Sequence, residues 1–293
     1  MAARAGWSAI TRRFHWQGRS TVLLSMIAVL LVVVSGAAAY AAAPAIAPVK
    51  AVELDVIGDS LSTGFRTPGD TWPAQAQTIA TSMGLKVGTA NASENGAGYA
   101  TPGETGDVFL DLVNRVVNSQ SQVVVIFGSD NDTGASGLAQ AVQSTLARVK
   151  VLAPDATVIL VGPTSESDDP QGNLTVIRQT LEQQAADTGA RFVDPVSLGW
   201  FQGAAAQDLA SDLEHPNTAG ETYLAEHMTA IMAPSVKSAM YQDQLARAGT
   251  HVQANVKSWN LMNQRLFGVP AAINQSGVAG TGNRFRIRRA GTW

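Results

Sequence analysis

Not one of the 293 residues is a cysteine. That absence excludes disulfides, thiolate metal sites and a cysteine nucleophile together, so covalent chemistry in this chain must use oxygen or nitrogen. Charge is scarce as well. Charged residues are 15% of the chain, and 20 Lys and Arg against 23 Asp and Glu leave a formal net charge of -3. No basic excess draws the whole protein toward nucleic acid, which is not an expected partner. The sequence has no His-x-x-x-His pair, and its aspartates do not cluster at metal-ligand spacing. Neither a metal nor any other cofactor is expected. Internal repeats are lacking too, as are long low-complexity tracts outside an alanine-rich leader.

What is present starts with that leader. Arg4, Arg12, Arg13 and Arg19 precede an apolar run from Thr21 to about Val34, which continues through alanines to Ala43. The stretch exceeds the roughly 20 residues that span a bilayer as a helix. Ala39 and Ala41 also fit the small-x-small pattern of a cleaved secretory signal, so residues 1–43 read as a signal peptide or a permanent N-terminal anchor. Either way the arginines keep the N-terminus in the cytoplasm, and everything after Pro44 is expected outside it, secreted or anchored.

A linker over 44–51 leads to a domain over 52–238, in which short apolar runs alternate with helix-length segments. The expected strands are Val52 to Ile57, Lys86 to Ala90, Val123 to Phe127, Thr157 to Val161 and Arg191 to Val193. Helices are expected over Trp72 to Met83, Leu138 to Leu152, Leu174 to Thr188 and Ala219 to Met232. The strands are continuously apolar rather than alternating, as in a parallel sheet covered on both faces. This pattern predicts an α/β, three-layer domain whose ligands bind beyond the carboxyl ends of the strands. Residues 239–293 read as an extension with one helix over Ala239 to Gly249, then irregular sequence. Its tail, Asn283 to Arg289, interleaves basic and apolar residues suited to an anionic envelope polymer or a membrane surface.

Four segments follow strands or precede a helix, where such a sheet presents reactive groups. Gly58-Asp59-Ser60-Leu61 places a serine hydroxyl at the start of a helical segment. Asn95-Gly96-Ala97-Gly98-Tyr99 lets the backbone approach a ligand. Gly128-Ser129-Asp130-Asn131-Asp132 offers a neutral amide, Asn131, that can donate to an oxyanion. Asp212-Leu213-Glu214-His215-Pro216-Asn217 supplies a base active near neutral pH, with an aspartate three residues earlier able to fix its tautomer.

In this order, the four segments resemble the blocks of the SGNH, or GDSL-type, hydrolase family across most of Val52 to Met232. The resemblance implies a flavodoxin-like αβα fold with Ser60 as nucleophile, His215 as general base and Asp212 orienting it. It also implies an oxyanion hole of Ser60, Gly96 and Asn131; glycine spacing alone leaves Gly98 as an alternative to Gly96. The expected activity is serine ester hydrolysis through an acyl-enzyme, on acylated carbohydrates or lipids. An acyltransferase on envelope sugars and a non-catalytic envelope-binding protein are the competing readings. Two residues depart from the family pattern. Leu213 stands where a small residue is common, and Glu214 adds a carboxylate beside His215 that would work against activity at low pH.

Overall fold

The computed structural model describes residues 50–166 and 169–267. The leader, nearly all of the linker and the basic tail lie outside the described residues, and with them the expected signal or anchor and the envelope contact. Among the described residues no helix is long and apolar enough to cross a membrane.

Five parallel strands form one sheet in the order β2-β1-β3-β4-β5. They are β1 (Val52–Gly58), β2 (Val87–Asn91), β3 (Ser121–Phe127), β4 (Thr157–Val161) and β5 (Arg191–Val193). The helices, in chain order, are α1 (Ser60–Thr63), α2 (Trp72–Ser82), α3 (Phe109–Val116), α4 (Leu138–Leu152), α5 (Thr175–Thr188) and α6 (Thr218–Phe267). Short 3-10 turns occupy Asp130–Asp132 and Gly203–Asp208.

Strand periodicity sorts the core into two layers. Val123, Val125 and Phe127 face one side of the sheet, packed with Trp72, Ala76 and Ala80 of α2 and Leu224, Met228 and Met232 of α6. Val124 and Ile126 face the other, packed with Leu112 and Val113 of α3, Val142 and Leu146 of α4 and Ile177 and Leu181 of α5. All five β3 residues from Val123 to Phe127 are fully buried. At about 1.5–3 kcal/mol for each such side chain, β3 is the strand whose displacement costs most. Burial on both faces explains why these strands do not alternate in sequence.

Two helices differ from the sequence expectation. α3 was not among the expected helices, although Phe109, Leu112, Val113 and Val116 carry the i, i+3, i+4, i+7 spacing of a buried helical face. The helices expected on either side of Pro234 are one element, α6, which continues to Phe267 through sequence expected to be irregular. Proline in a helix interior removes one hydrogen bond and costs about 3 kcal/mol. Here its ring is on the exposed side, while Met232, Ala233 and Val236 around it are buried in the core. That anchorage offsets the lost bond and carries the helix through. Among the described residues, Ala239 and Met240 are the last of α6 packed against the core.

The chain reverses its direction across the sheet between β1 and β3, which places a crevice beyond their carboxyl ends. The register pairs Gly58 with Phe127, so the segments after the two strands emerge side by side.

Candidate active site

Asp59 caps α1. Its Oδ1 accepts from the Leu61 N–H at 2.9 Å, which turns the chain directly after β1 and leaves Ser60 as the first helical residue. The Asp59 carboxyl is itself buried, with no partner for Oδ2 among the described residues. Burial, then the nearby charge of Asp130, pushes its pKa well up.

The Ser60 hydroxyl lies 2.8 Å from Nε2 of His215. On the far side of the ring, Nδ1 lies 3.2 Å from Oδ2 of Asp212. A carboxylate on Nδ1 keeps the proton there, so Nε2 is left free to accept from Ser60. Asp212 is fixed by its own turn: Oδ1 accepts from the His215 N–H at 3.1 Å and the Glu214 N–H at 3.3 Å. Partial burial pushes its carboxyl up. The His215 N–H, the Arg66 side chain and the Glu214 N–H outweigh that and hold it far below the usual carboxylate range. Leu213, at φ 60°, is in the left-handed region, at a cost of roughly 1–2 kcal/mol. This gives a physical reason for a small residue at that position. The Glu214 carboxylate reaches within 3.9 Å of Nε2; burial and then Asp130 push its pKa up.

The two glycines of the second segment have separate tasks. Gly98 donates its N–H to the Thr101 carbonyl at 2.7 Å and packs against Asp132, leaving no room for a side chain. Gly96, at φ 73°, has open space where a Cβ would stand. Among the described residues nothing accepts a hydrogen bond from the N–H of Gly96 or of Ser60. Asn131 donates one Nδ2–H to the Ala97 carbonyl at 3.1 Å, which retains its second N–H for another acceptor.

Three residues that sequence reasoning passed over support this arrangement. Asp132 accepts from the backbone N–H groups of Tyr99 at 2.7 Å, Ala100 at 2.9 Å and Thr101 at 3.0 Å, fixing the glycine loop to the β3 segment. Phe65 and Arg66, in the loop after α1, touch His215 and Asp212. The Asn131-Asp132 pair could have signalled the first of these; nothing local signals the other two. Next to Leu61 and Asp212 opens a cavity of about 460 Å³, where Asp130, Glu166, Asp169 and Glu214 share the wall with Leu174, Leu209 and Leu213. Among the described residues no group of His, Asp or Glu is arranged to hold a metal ion.

Residues 56–223 match the model of the GDSL-like Lipase/Acylhydrolase family. A GDSL lipase of Mycobacterium tuberculosis is 35% identical over 186 residues, covering 61% of this chain and 80% of that protein. Among solved structures, a carbohydrate esterase family 2 enzyme of Corynascus thermopiles (Myceliophthora fergusii) superposes with a TM-score of 0.51 at 19% identity, over 65% of this chain and 68% of that one. A lipase/acylhydrolase of Enterococcus faecalis does so with 0.51 at 18% identity, over 62% and 95%. The fold is thus shared with these enzymes, and the residues matched by the family model run from β1 into α6, taking in all four segments. The chain belongs to the GDSL-like lipase/acylhydrolase family and is a carboxylic ester hydrolase.

Proposed function

We propose that the protein is an exported serine esterase that cleaves an acyl ester of a polar alcohol through an acyl-enzyme on Ser60. The 2.8 Å contact between Ser60 Oγ and His215 Nε2, with Asp212 behind the ring, is the observation that carries this reading. His215 takes the hydroxyl proton as Oγ bonds to the substrate carbonyl carbon. Negative charge on the carbonyl oxygen meets the N–H groups of Ser60 and Gly96 and the spare N–H of Asn131. The C–O bond to the alcohol then breaks, the departing oxygen takes the proton from His215, and the acyl group stays on Ser60. Water, giving a proton to the same nitrogen, attacks the acyl-enzyme, and the acid leaves as Oγ recovers its proton.

The choice of a polar alcohol rests on the cavity next to Leu61 and Asp212. Its carboxylates and hydrogen-bonding side chains outnumber its leucines and suit a hydroxylated sugar better than a long acyl chain, which needs a continuous apolar wall. Export rests on the arginine-flanked apolar leader, and fractionation of cells producing the full chain checks it.

Hydrolysis of p-nitrophenyl acetate by the full chain, compared with Ser60→Ala, tests the mechanism. The variant is expected to lose at least about 10³-fold in kcat. Equal rates would sink the proposal. Acetylated sugars are expected to be cleaved faster than palmitoyl esters, and the opposite order would reject the polar-alcohol preference.

A further inference from the structure

The loop from Gly64 to Thr71 joins α1 to α2 and is held at both ends. Gly64, at φ 75°, makes a turn where a Cβ would stand 2.7 Å from the Thr71 methyl group. The Thr67 N–H returns to the Gly64 carbonyl at 2.9 Å. The Thr67 hydroxyl donates at 2.7 Å to Oε1 of Glu221, in the first turn of α6, while Oε2 of the same carboxylate accepts from the Trp72 N–H at 2.6 Å. Between these anchors the loop presents two side chains to the reacting groups. The Phe65 ring lies 4.8 Å from the His215 ring. The Arg66 guanidinium lies 4.9 Å over Phe65, and its Nε donates to Asp212 Oδ2 at 2.7 Å. That is the same oxygen that faces His215 Nδ1 at 3.2 Å, so the shorter of its two contacts goes to Arg66.

Charge around His215 is unbalanced without this loop. Asp212 and Glu214 face the ring from its own turn, at 3.2 and 3.9 Å. Asp130 contributes from the 3-10 turn after β3, close enough for His215 to act on its titration. Each carboxylate favours the imidazolium, and an imidazolium cannot take a proton from Ser60. Arg66 opposes them from the loop after α1.

Building on the proposed roles of Ser60, His215 and Asp212, we propose that Arg66 is a positioning residue of the ester-hydrolysing site. It aims the Asp212 carboxylate at Nδ1 and sets its positive charge against the carboxylates around His215. The Phe65 ring contacts both groups, 4.8 Å from the imidazole at a tilt of 45° and 4.9 Å beneath the guanidinium. Arg66 touches no reacting atom; it acts through Asp212.

The test measures kcat and KM against pH for the full chain and for Arg66→Gln and Arg66→Lys, with p-nitrophenyl acetate as substrate and a thermal melt of each. Arg66→Gln is expected to lower kcat about tenfold with little change in KM. It is also expected to move the acid limb of the kcat/KM profile up, because the positive charge that opposes the carboxylates around the base has been removed. Arg66→Lys is expected to return the acid limb toward its original position while restoring only part of kcat, because lysine keeps the charge and loses the guanidinium geometry. An unchanged acid limb in Arg66→Gln overturns the proposal, whether kcat is unchanged or falls together with the melting temperature. Ser60→Ala separates the two levels. If it is inactive while Arg66→Gln behaves as the original chain, only the role of Arg66 falls; if it is fully active, the mechanism beneath falls with it.

Discussion

Gly98 rests directly on Asp132: a Cβ at residue 98 would come within 2.6 Å of both carboxylate oxygens. Those oxygens accept the three successive N–H groups of Tyr99, Ala100 and Thr101, so they cannot move aside cheaply. Gly98→Ala is expected to destabilise the fold by about 1–3 kcal/mol through overpacking. Gly96→Ala, which has room but sits at positive φ, is expected to cost only about 1 kcal/mol. Denaturant unfolding of the two variants measures the difference, and the reverse ranking would remove the distinction drawn between the glycines.

Asn131 has one Nδ2–H committed to Ala97 and one to spare. Asn131→Ala is expected to lower kcat by about 10²- to 10³-fold with KM little changed, the pattern of a donor that matters most once charge has developed on the carbonyl oxygen. Steady-state kinetics at saturating ester decides it. A kcat within a factor of two of the original would take Asn131 out of the oxyanion hole.

Glu221 links the fold to pH. Burial pushes its pKa up to about 7, against which its bonds from Thr67 and Trp72 act only partly. A carboxyl raised in this way holds its proton longer in the folded than in the unfolded chain. Its contribution is therefore fully present below about pH 4.5 and is lost as pH rises toward 7, by roughly 3 kcal/mol in all. Glu221→Gln removes that loss, and its stability is expected to be flatter between pH 4.5 and 7. Asp55, raised to about 6 chiefly by burial, has the same sign and leaves a residual slope in the variant. Melting curves across this range check the difference; parallel profiles for the two proteins would refute it.

How much of this was legible beforehand depended on whether a signal is local. The strands were readable because Val123 to Phe127 is an unbroken apolar run between turn residues, and Ser60 and His215 because each lies in a short segment beside a strand or helix end. Asp212 was readable because the distance from an aspartate to a histidine three residues later is set by one turn. The run-on of α6 was not: Pro234 is a local stop signal, and what overrides it is burial of Met232 and Val236 against strands far away in sequence. Arg66 was invisible for a related reason. Its partner Asp212 is 146 residues away, and an arginine in a loop has no periodicity that points to a carboxylate on another. Glu221 looks like an ordinary acidic residue in a first helical turn until Thr67 and Trp72 are found closing over it.

The turn that bears Asp212 and His215 is closed on itself. The Ala210 N–H donates to the His215 carbonyl at 2.7 Å, the Leu213 N–H to Ala210 at 3.0 Å, and the Asn217 side chain to the carbonyls of Gln207 and Leu209 at 2.9 and 3.1 Å. His215 and Asp212 are therefore held in one closed turn, while Ser60 belongs to another part of the fold, the turn after β1. The 2.8 Å between Ser60 Oγ and His215 Nε2 is where two separately built parts of the fold meet, and a substitution that shifts either part changes that gap.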